Sequence, residues 1–254
     1  MSDNTDKGHR AVVIIPMYNE RENAAAIIDA VLGLEVPFDV LVIDDNSPDG
    51  TAAIVKEKMA QNPGRVSIIE RQGKLGLGTA YITGFKRALE DGYDIICEMD
   101  ADFSHNPADL LKLYKATAVD GADVAIGSRY VTGVNVVNWP MGRVLMSYYA
   151  SKYVRVVTGM PIHDTTAGFV CYRRRVLEAL PLDDIKFKGY AFQIEMKFTA
   201  HKYGFKIVEV PIIFVNRVLG TSKMNSGIFG EAVFGVIRLK WNSLFKKFPD
   251  YSQK

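Results

Sequence analysis

Cysteine is scarce in this sequence, and its scarcity excludes two classes of protein. Only Cys97 and Cys171 occur among the 254 residues, and both lie within apolar runs. Two thiols can build neither a disulfide framework nor a cysteine-based zinc cluster. We therefore predict that both are buried thiols of a protein kept in a reducing compartment.

An excess of charge of one sign and a long apolar run are also missing. The 31 Lys and Arg residues nearly balance the 29 Asp and Glu residues and leave a net charge of +2, which argues against nucleic acid as a partner. No stretch reaches the ~18 consecutive apolar residues that a membrane span needs. The polar start of the chain lacks the apolar core of a signal peptide. These absences predict a cytoplasmic protein, and residues 1–8 are expected to be disordered.

What the sequence does contain is a regular alternation of short β-branched runs with helical patterns. The predicted strands cover residues 11–15, 39–43, 66–69, 95–99 and 123–126. The predicted helices cover residues 22–34, 51–61, 77–91 and 107–119. Asn106 as N-cap and Pro107 at the first helical position mark the start of the last of these helices. This alternation predicts an α/β fold with a mainly parallel sheet flanked by helices.

The second half of the chain is patterned less regularly. Helices are predicted at 141–158 and 190–203, and strands at 168–172 and 206–215. No linker rich in Gly, Ser or Pro separates the halves, and no internal repeat is visible. The fold is therefore expected to be one domain with a C-terminal appendage.

A pair of carboxylates, Asp100 and Asp102, is the strongest local signal for chemistry, because it directly follows the fourth predicted strand. In parallel sheets, ligands bind beyond the carboxyl ends of the strands. Mg²⁺ and Mn²⁺ take oxygen ligands and often share one or two carboxylates with substrate phosphates. The simpler alternative is a solvated loop that caps a helix.

Acidic and aromatic residues follow two other predicted strands at the same edge. Asp44 and Asp45 end the second strand, before a Ser-Pro-Asp-Gly turn. Pro16 ends the first strand, and behind it Tyr18 offers a planar face for a nucleobase and Glu20 offers a hydrogen-bond acceptor. Each residue taken singly is more often structural, but three strand ends at one rim favour a ligand site.

Cations occur later in the chain. Arg129 follows the fifth strand, Arg143 lies beyond it, and Arg217 and Lys223 flank a flexible Gly-Thr-Ser sequence. Guanidinium and ammonium groups suit the oxygens of a pyrophosphate or a phosphate monoester.

The glycine-rich run at residues 73–79 matches neither common phosphate-binding loop. A P-loop needs Lys in place of Thr79, and a dinucleotide-binding loop needs Gly in place of Tyr81. We predict a tight turn into a helix whose backbone comes close to a ligand or to the sheet. This argues against a Rossmann dehydrogenase or a Walker ATPase.

In their order along the chain, these motifs resemble those of family 2 glycosyltransferases with the GT-A fold. They are Pro-Met-Tyr-Asn-Glu at 16–20, Asp-Asp-Asn-Ser-Pro-Asp-Gly-Thr at 44–51, Asp-Ala-Asp at 100–102, and the run at 217–223. Within that family they are most similar to the dolichol-phosphate, or polyprenol monophosphate, mannose synthases. The resemblance covers about residues 9–223 and implies a GT-A (Rossmann-like) domain at 9–225, followed by an amphipathic segment at 226–254.

The resemblance also implies roles for individual residues. A nucleotide pocket is implied at Pro16, Tyr18, Glu20, Ile43 and Asp45. The metal and diphosphate site is implied at Asp100 and Asp102, with Ala101 close to the ribose and with Arg129, Arg217 and Lys223 as phosphate cations. Asp102 and Arg129 are the implied catalytic residues. Ser104 stands where some relatives carry a Gln metal ligand, which is a departure from the family pattern. We include Ser104 with Asp100 and Asp102 in the implied metal site, because a serine can bind a metal directly or through water.

The implied reaction is metal-dependent, inverting transfer of mannose from GDP-mannose to polyprenyl phosphate. Asp164, and Gln193 or Glu195, could bind sugar hydroxyls, but none of the three is given an assigned role. A polyprenyl-phosphate transferase that uses a UDP-sugar donor would share every motif. A non-catalytic membrane adaptor is a more distant alternative. A haloacid-dehalogenase-like phosphatase also uses Asp-x-Asp, but it wants Thr where Ser104 stands.

The last fifty residues differ from the rest in charge. Residues 205–254 contain eight basic and three acidic residues, and residues 227–248 interleave cations with apolar side chains. A basic amphipathic helix that carries Trp and Phe can lie in an anionic bilayer interface. We predict peripheral attachment to the cytoplasmic face of a membrane, with packing on the domain or on a membrane protein partner as the alternative.

Overall fold

The computed structural model describes residues 8–187, 189, 191–217 and 227–252, and the side chains of residues 227–233 are not included. The predicted disorder of residues 1–8 therefore lies almost entirely outside the described residues, and so does Lys223.

A seven-stranded sheet forms the centre of the fold. Its strands are β1 (Ala11–Met17), β2 (Asp39–Asp44), β3 (Val66–Glu70), β4 (Ile95–Glu98), β5 (Val124–Ser128), β7 (Val170–Arg173) and β8 (Ile207–Pro211). Their order across the sheet is β3-β2-β1-β4-β7-β5-β8. β7 runs antiparallel to β4 and β5, and the other pairs are parallel. Two short strands, β6 (Val136–Val137) and β9 (Phe214–Val215), pair in parallel outside this sheet. The expected mainly parallel sheet is confirmed.

Eight α-helices accompany the strands within the described residues. They are α1 (Arg21–Leu32), α2 (Thr51–Gln61), α3 (Leu77–Glu90), α4 (Leu110–Tyr114), α5 (Met141–Thr158), α6 (Arg174–Ala179), α7 (Ala191–Lys202) and α8 (Gly227–Leu244). The predicted helix at 107–119 is divided into a 3₁₀ turn, α4 and a π-helical turn. Its predicted start is confirmed, because the side chain of Asn106 accepts a hydrogen bond from the backbone N–H of Ala108. Helix α6 was not predicted.

The core lies on both faces of the sheet because the central strands are apolar throughout. Alternate residues of β1 point to opposite faces, so Ile14 packs in one cluster and Ile15 in the other. The sheet is thus covered on both sides, as expected for parallel strands joined by helical crossovers. Cys97 and Cys171 pair across β4 and β7 and are fully buried, which confirms the prediction of buried thiols.

The glycine-rich run enters α3 as predicted. Gly76, with φ of +105°, precedes the first helical residue, and Gly84 lies on the face of α3 that meets β1. A Cβ atom at Gly84 would come within 2.6 Å of Ile14. The close approach of this helix to the sheet therefore requires glycine.

The C-terminal helix α8 packs on α5 and α7. Its inward residue Val236 is buried in the core cluster. Beyond the helix, the ring of Phe248 lies 6.0 Å from that of Tyr203, and the ring of Tyr251 lies 5.2 Å from that of Phe205. No helix in the described part of the chain is long and apolar enough to cross a bilayer. The division at residue 226 stays a prediction.

Candidate functional site

Residues from the first two strands meet at one rim of the sheet. Pro16 and Ile43 are register partners near the carboxyl ends of β1 and β2. Ile43 is fully buried and belongs to the core. Beyond the strand, Tyr18 is half-buried, and the ammonium of Lys74 lies 5.1 Å from its ring centroid. Glu20 follows and is 9% exposed, so the end of β1 presents one aromatic ring and one carboxylate.

The two aspartates at the end of β2 have different partners. Asp44 accepts hydrogen bonds from the backbone N–H and the hydroxyl of Ser47, at 2.9 and 2.6 Å. Turn chemistry therefore accounts for the position of Asp44. Asp45 accepts a hydrogen bond of 2.6 Å from Nε of Arg71, which also donates to Thr79 at 2.7 Å. Burial raises the pKa of Asp45, and Arg71 opposes that shift.

Arg71 is a functional candidate that sequence reasoning missed. It directly follows β3, whose carboxyl end lies at the same rim, and its side chain ties β2 to the first turn of α3. A cation immediately after a parallel strand was the available signal. Asp45 therefore lies at the rim in an ion pair with Arg71, and its carboxylate is not an isolated hydrogen-bond acceptor.

Asp100 and Asp102 lie in the turn that follows β4. Oδ1 of Asp102 accepts a hydrogen bond of 3.0 Å from the backbone N–H of Ser104. Its Oδ2 lies 2.7 Å from Nη2 of Arg217. Ala101 is buried between the two carboxylates, and Phe103 after them has a φ of +57°. The turn thus holds both acids at the end of β4, and the structure brings Arg217 to the second one.

The electrostatics of Asp100 depend on its surroundings. Removal from water raises the pKa of its carboxyl to about 7, and the neighbouring Asp102 contributes in the same direction. The guanidinium of Arg217 and the hydroxyl of Tyr81 oppose the shift. A bound cation next to both carboxylates would remove this penalty.

The donor set at this turn fits a hard divalent cation. It consists of carboxylate oxygens with a hydroxyl nearby, which is the ligand type that Mg²⁺ and Mn²⁺ prefer. Among the described residues, no group of three or more His, Cys, Asp or Glu side chains could hold a metal ion. A cation at Asp100 and Asp102 would therefore depend on further oxygens, such as those of a bound diphosphate.

A buried polar network lies beneath this turn. Gln193 donates to Glu98, the last residue of β4, and both are shielded from solvent. Lys197, one turn along α7 and 0% exposed, donates to the carbonyl oxygens of Ala167 at 2.6 Å and of Thr165 at 3.4 Å. Burial raises the pKa of Glu98 and lowers that of Lys197. Gln193 and Lys197 therefore join α7 to β4 and to residues 165–167.

Glu195 has protein partners as well. Its Oε2 accepts hydrogen bonds from the backbone N–H groups of Lys186 and Phe187, at 2.9 and 3.0 Å. The carboxylate thus closes the segment that precedes α7. Gln193, through Glu98, and Glu195, through the two backbone N–H groups, thus both have hydrogen-bond partners within the protein.

Arg129, after β5, forms a buried ion pair with Asp164. The carboxylate of Asp164 accepts from the backbone N–H of Arg129 at 3.0 Å, from Nε at 2.7 Å and from Nη2 at 2.6 Å. Asp164 is fully buried, and Arg129 is 8% exposed. Burial acts to raise the pKa of Asp164, but the guanidinium overrides it and holds that pKa below its usual range. Asp164 therefore fixes the position of Arg129.

Residues 214–217 connect the two halves of the site. The ring of Phe214 lies 5.1 Å from that of His105 and 5.5 Å from the guanidinium carbon of Arg129. The next backbone N–H, of Val215, donates to the carbonyl of Ser104 at 3.1 Å. Two residues later, Arg217 reaches Asp102. One short segment thus contacts both the carboxylate turn and the buried arginine.

A second arginine lies on the far side of that segment. Nη1 of Arg143 donates to Asn216 at 2.9 Å, and its guanidinium carbon lies 4.0 Å from the ring centroid of Trp139. The same ring lies 5.7 Å from the guanidinium carbon of Arg129. Arg129 and Arg143 therefore contact residues 214–217, which include Arg217, and the structure brings together all the predicted cations that it describes.

Comparison with known proteins identifies related sequences over most of the chain. The profile of "Glycosyl transferase family 2" matches residues 12–180. The polyprenol monophosphomannose synthase of Mycolicibacterium smegmatis is 48% identical over 227 residues, which cover 89% of this chain and 85% of that protein. The undecaprenyl-phosphate mannosyltransferase of Micrococcus luteus is 46% identical over 239 residues, covering 92% and 97%. The resemblance that the motifs indicated is confirmed.

Solved structures share the fold at lower identity. Glucosyl-3-phosphoglycerate synthase from Mycobacterium tuberculosis, with Mn²⁺, UDP-glucose and phosphoglyceric acid, has a TM-score of 0.68 and 17% identity, covering 97% of this chain and 83% of that one. The same enzyme with Mg²⁺ and UDP has a TM-score of 0.65. These similarities confirm the predicted GT-A fold.

Proposed function

Because this chain belongs to glycosyl transferase family 2, we propose that it transfers mannose from GDP-mannose to polyprenyl phosphate. The products are polyprenyl-phosphate mannose, with inverted configuration at the anomeric carbon, and GDP. Two relatives with names of this chemistry, each matched over at least 85% of its length, support the choice of sugar and acceptor.

The observation that carries the proposal is the position of residues 214–217. This segment contacts the carboxylate turn through Ser104 and Asp102, and it contacts Arg129 through Phe214. A transferase that joins two anionic substrates needs a cation-assisted site for each, a short distance apart. The segment lies between two such groups of residues.

The donor belongs at the ends of β1, β2 and β4. Tyr18 offers its ring to the base, while Glu20 and the Asp45–Arg71 pair offer acceptors and a donor to the nucleoside. Asp100 and Asp102 would hold a divalent cation, with Ser104 close by as the proposed third ligand. When bound, Mg²⁺ or Mn²⁺ neutralises charge that develops on the departing diphosphate.

The acceptor phosphate belongs on the other side of residues 214–217. Arg129 and Arg143 present guanidinium groups there, and each lies over the ring of Trp139. Bidentate guanidinium donors suit the oxygens of a phosphate monoester. The ion pair with the buried carboxylate of Asp164 holds the side chain of Arg129 in this position.

The reaction needs no general base from the protein. A phosphate monoester has a second pKa of about 6 and is mostly dianionic at neutral pH. One of its oxygens attacks the anomeric carbon as the bond from that carbon to the diphosphate breaks, and GDP leaves. Arg129 orients the attacking phosphate, and Asp102 would hold the cation that stabilises the leaving group.

A donor-competition assay tests the proposal. Purified protein receives polyprenyl phosphate and radiolabelled GDP-mannose, with Mg²⁺ or Mn²⁺ present. We expect a labelled lipid product whose yield falls with unlabelled GDP-mannose and not with unlabelled UDP-glucose. Transfer from UDP-glucose in preference would assign the chain to the UDP-sugar alternative. Absence of transfer from either donor would favour the membrane adaptor.

We also propose that the protein works at the cytoplasmic face of a membrane, where the acceptor's lipid chain lies. On α8 and directly after it, the outward residues Phe234, Trp241 and Phe245 are exposed, while Val236 faces the core. Exposed aromatic rings beside the cations of this helix suit a bilayer interface. The expected result is salt-sensitive binding to anionic vesicles that is lost in Trp241→Ser/Phe245→Ser.

Point substitutions test this attachment better than truncation does. Removing α8 would also expose the core around Val236, so loss of binding could follow from unfolding. Val137→Ser, at an exposed position on β6, serves as the matched control. Equal vesicle binding by the aromatic variant and the control would overturn the assignment of this face.

A further inference from the structure

A cavity of about 440 Å³ lies between α5 and residues 159–163, and Tyr130, the residue after Arg129, lines it. We propose that it binds the phosphate headgroup of an anionic phospholipid of the membrane on which the protein works. The proposal rests on the membrane attachment above, and it adds a second phosphate site that the transfer reaction does not use.

Unpaired positive charge is the first argument. Lys152 and Arg155 line the cavity one turn apart on α5, and both are exposed. Neither has a carboxylate partner among the side chains that the structure describes, although most cations near the sheet rim do. Two exposed cations that converge on one cavity favour an anionic ligand.

The carboxylate of Glu209, which contacts His163 on the cavity wall, is already engaged. Glu209 accepts hydrogen bonds from the hydroxyl of Ser128 at 2.7 Å and from the backbone N–H of Asp164 at 2.9 Å. Its Oε2 also accepts a hydrogen bond from the backbone N–H of His163 and lies 2.8 Å from Nδ1 of the same residue. Among the residues that the structure describes, the groups that contact this carboxylate do not include Lys152 or Arg155. The imidazole of His163 remains on the cavity wall as a further polar group.

The walls give the cavity the mixed character of a headgroup site. The rings of Tyr130 and Tyr148 meet edge to face at 5.5 Å on one side, and Met160 and Pro161 line another. The volume is within the ~300–1,000 Å³ range of small-ligand sites and exceeds what one inorganic ion fills. A phosphate with its glycerol suits this combination of cations, aromatic rings and apolar surface.

The exposed face of α5 identifies a lipid as the source of that phosphate. Met141, Leu145 and Tyr149 are exposed and recur at the helical spacing that also places Lys152 and Val156 on this face. Met141 is 70% exposed and Val156, at the cavity, is 76% exposed. An apolar half followed by a basic half, on one helix face, matches acyl chains beside their headgroups.

The first test uses a soluble probe. The protein has four histidines, so the ring signals of His163 can be followed by NMR as glycerol 3-phosphate is added. We expect these signals to shift in the wild type and in the charge-conserving variant Lys152→Arg/Arg155→Lys. They should not shift in Lys152→Gln/Arg155→Gln. A wild-type protein without a shift would overturn the proposal.

The second test decides the source of the phosphate. Sedimentation is measured with vesicles of phosphatidylcholine alone and of phosphatidylcholine mixed equally with phosphatidylglycerol. The glutamine variant should bind the mixed vesicles at least about tenfold more weakly than the charge-conserving variant. Free glycerol 3-phosphate should weaken wild-type binding and leave the residual binding of the glutamine variant unchanged. A probe-dependent NMR shift with equal vesicle affinities would assign the cavity to a soluble phosphate compound and overturn the lipid assignment.

Assays in detergent separate this proposal from the proposed function. With a short-chain polyprenyl phosphate in micelles, the glutamine variant should transfer mannose as fast as the wild type. If turnover instead falls with the cavity charge in micelles, the cavity is part of the acceptor site, and the second-site proposal is wrong. If the wild type transfers no mannose while the NMR and vesicle results hold, the proposed function fails and the headgroup site stands.

Discussion

The carboxylate rim and the arginine cluster form the two sides of one site, but the chain builds them differently. At the rim, Asp44 is held by Ser47 and Asp102 by Ser104, three and two residues away. In the cluster, Arg129 is held by Asp164 and Arg143 by Asn216, which are 35 and 73 residues away. The turns that hold Asp44 and Asp102 are thus local, although Asp45 on the same rim pairs with Arg71, 26 residues away. Both contacts of the cluster depend on how distant elements pack.

This difference predicts different consequences of substitution. A rim carboxylate sits in a turn that persists without it, so its removal affects chemistry. In the cluster, Asp164 neutralises the buried charge of Arg129, so its removal affects folding as well. Variants at matched positions can separate the two sides.

The largest effect is expected from Asp164→Asn. The change leaves the Arg129 guanidinium buried without a counter-ion, which costs about 3–5 kcal/mol in the free energy of unfolding. Denaturant unfolding measures this loss. The control is Glu178→Gln, which removes the partner of Arg174 in an exposed pair and should cost only ~0.3–0.5 kcal/mol. Equal losses in the two variants would contradict the contrast between the two regions.

Asp102→Asn should show the opposite pattern. Without this carboxylate, cation-assisted departure of the diphosphate is weakened, and turnover should fall by at least ~100-fold. The free energy of unfolding should change little, because the amide retains an oxygen for the N–H of Ser104, and the side chain of Arg217, which loses its carboxylate partner, is 25% exposed and stays hydrated. Asp29→Asn, at an exposed ion pair on α1, is the control and should keep its turnover. Full wild-type activity in EDTA would refute the role of a divalent cation.

A smaller effect is expected from the cations that follow β9. Arg217→Ala and Lys223→Ala should each weaken the use of anionic substrates by about tenfold or more, through lost charge-assisted hydrogen bonds. Steady-state kinetics for donor and acceptor measure the change. Lys206→Ala, directly before β8 and thus at the end of that strand away from Arg217, is the control and should leave these kinetics unchanged. Normal kinetics in both test variants would assign this run to structure.

The pH dependence of metal binding should sharpen the description of the rim. Burial raises the pKa of Asp100 to about 7, so binding of Mn²⁺ must displace a proton below that pH. Affinity should fall by up to about tenfold per pH unit as the pH drops below 7, measured by calorimetric titration. In Asp100→Asn, both the affinity and this pH dependence should be lost. An affinity independent of pH in the wild type would remove Asp100 from the metal site.

The same shift has a consequence for folding. Between pH 3.8 and about 7, the folded protein keeps a proton on Asp100 that the unfolded chain has already released. This group therefore lowers the stability of the metal-free protein as the pH rises through that range. Mn²⁺ should restore the lost stability above it.

Much of the rim could be predicted from sequence because strand ends are local features. An apolar run followed by Pro, Asp or Ser-Pro-Asp-Gly fixes where a strand stops, and parallel strands stop at a shared edge. Tyr18, Asp45 and Asp102 could be assigned to one edge on that basis. Arg71 was missed, because nothing in its own neighbourhood indicates that it reaches back to Asp45.

The arginine cluster could be predicted only in part. Arg129 and Arg217 were found as cations after strands, but their partners were not. Asp164 was considered as a ligand for sugar hydroxyls and was given no assigned role. Lys197 was not singled out as a candidate. A buried lysine looks like any polar residue of a helix until the carbonyl groups of Thr165 and Ala167 are seen around it.

By itself, then, the sequence determined the alternation of strands and helices, the buried thiols, and the acids at the strand ends, since hydrophobic period and turn residues act over a few positions. Only the tertiary structure decided that β7 runs antiparallel between β4 and β5, and that Asp164 neutralises Arg129. The physical reason is that a buried charge is stabilised by whichever opposite charge packing brings to it. Arg129 and Asp164 are separated by 35 residues of chain, so no local sequence pattern indicates that they pair.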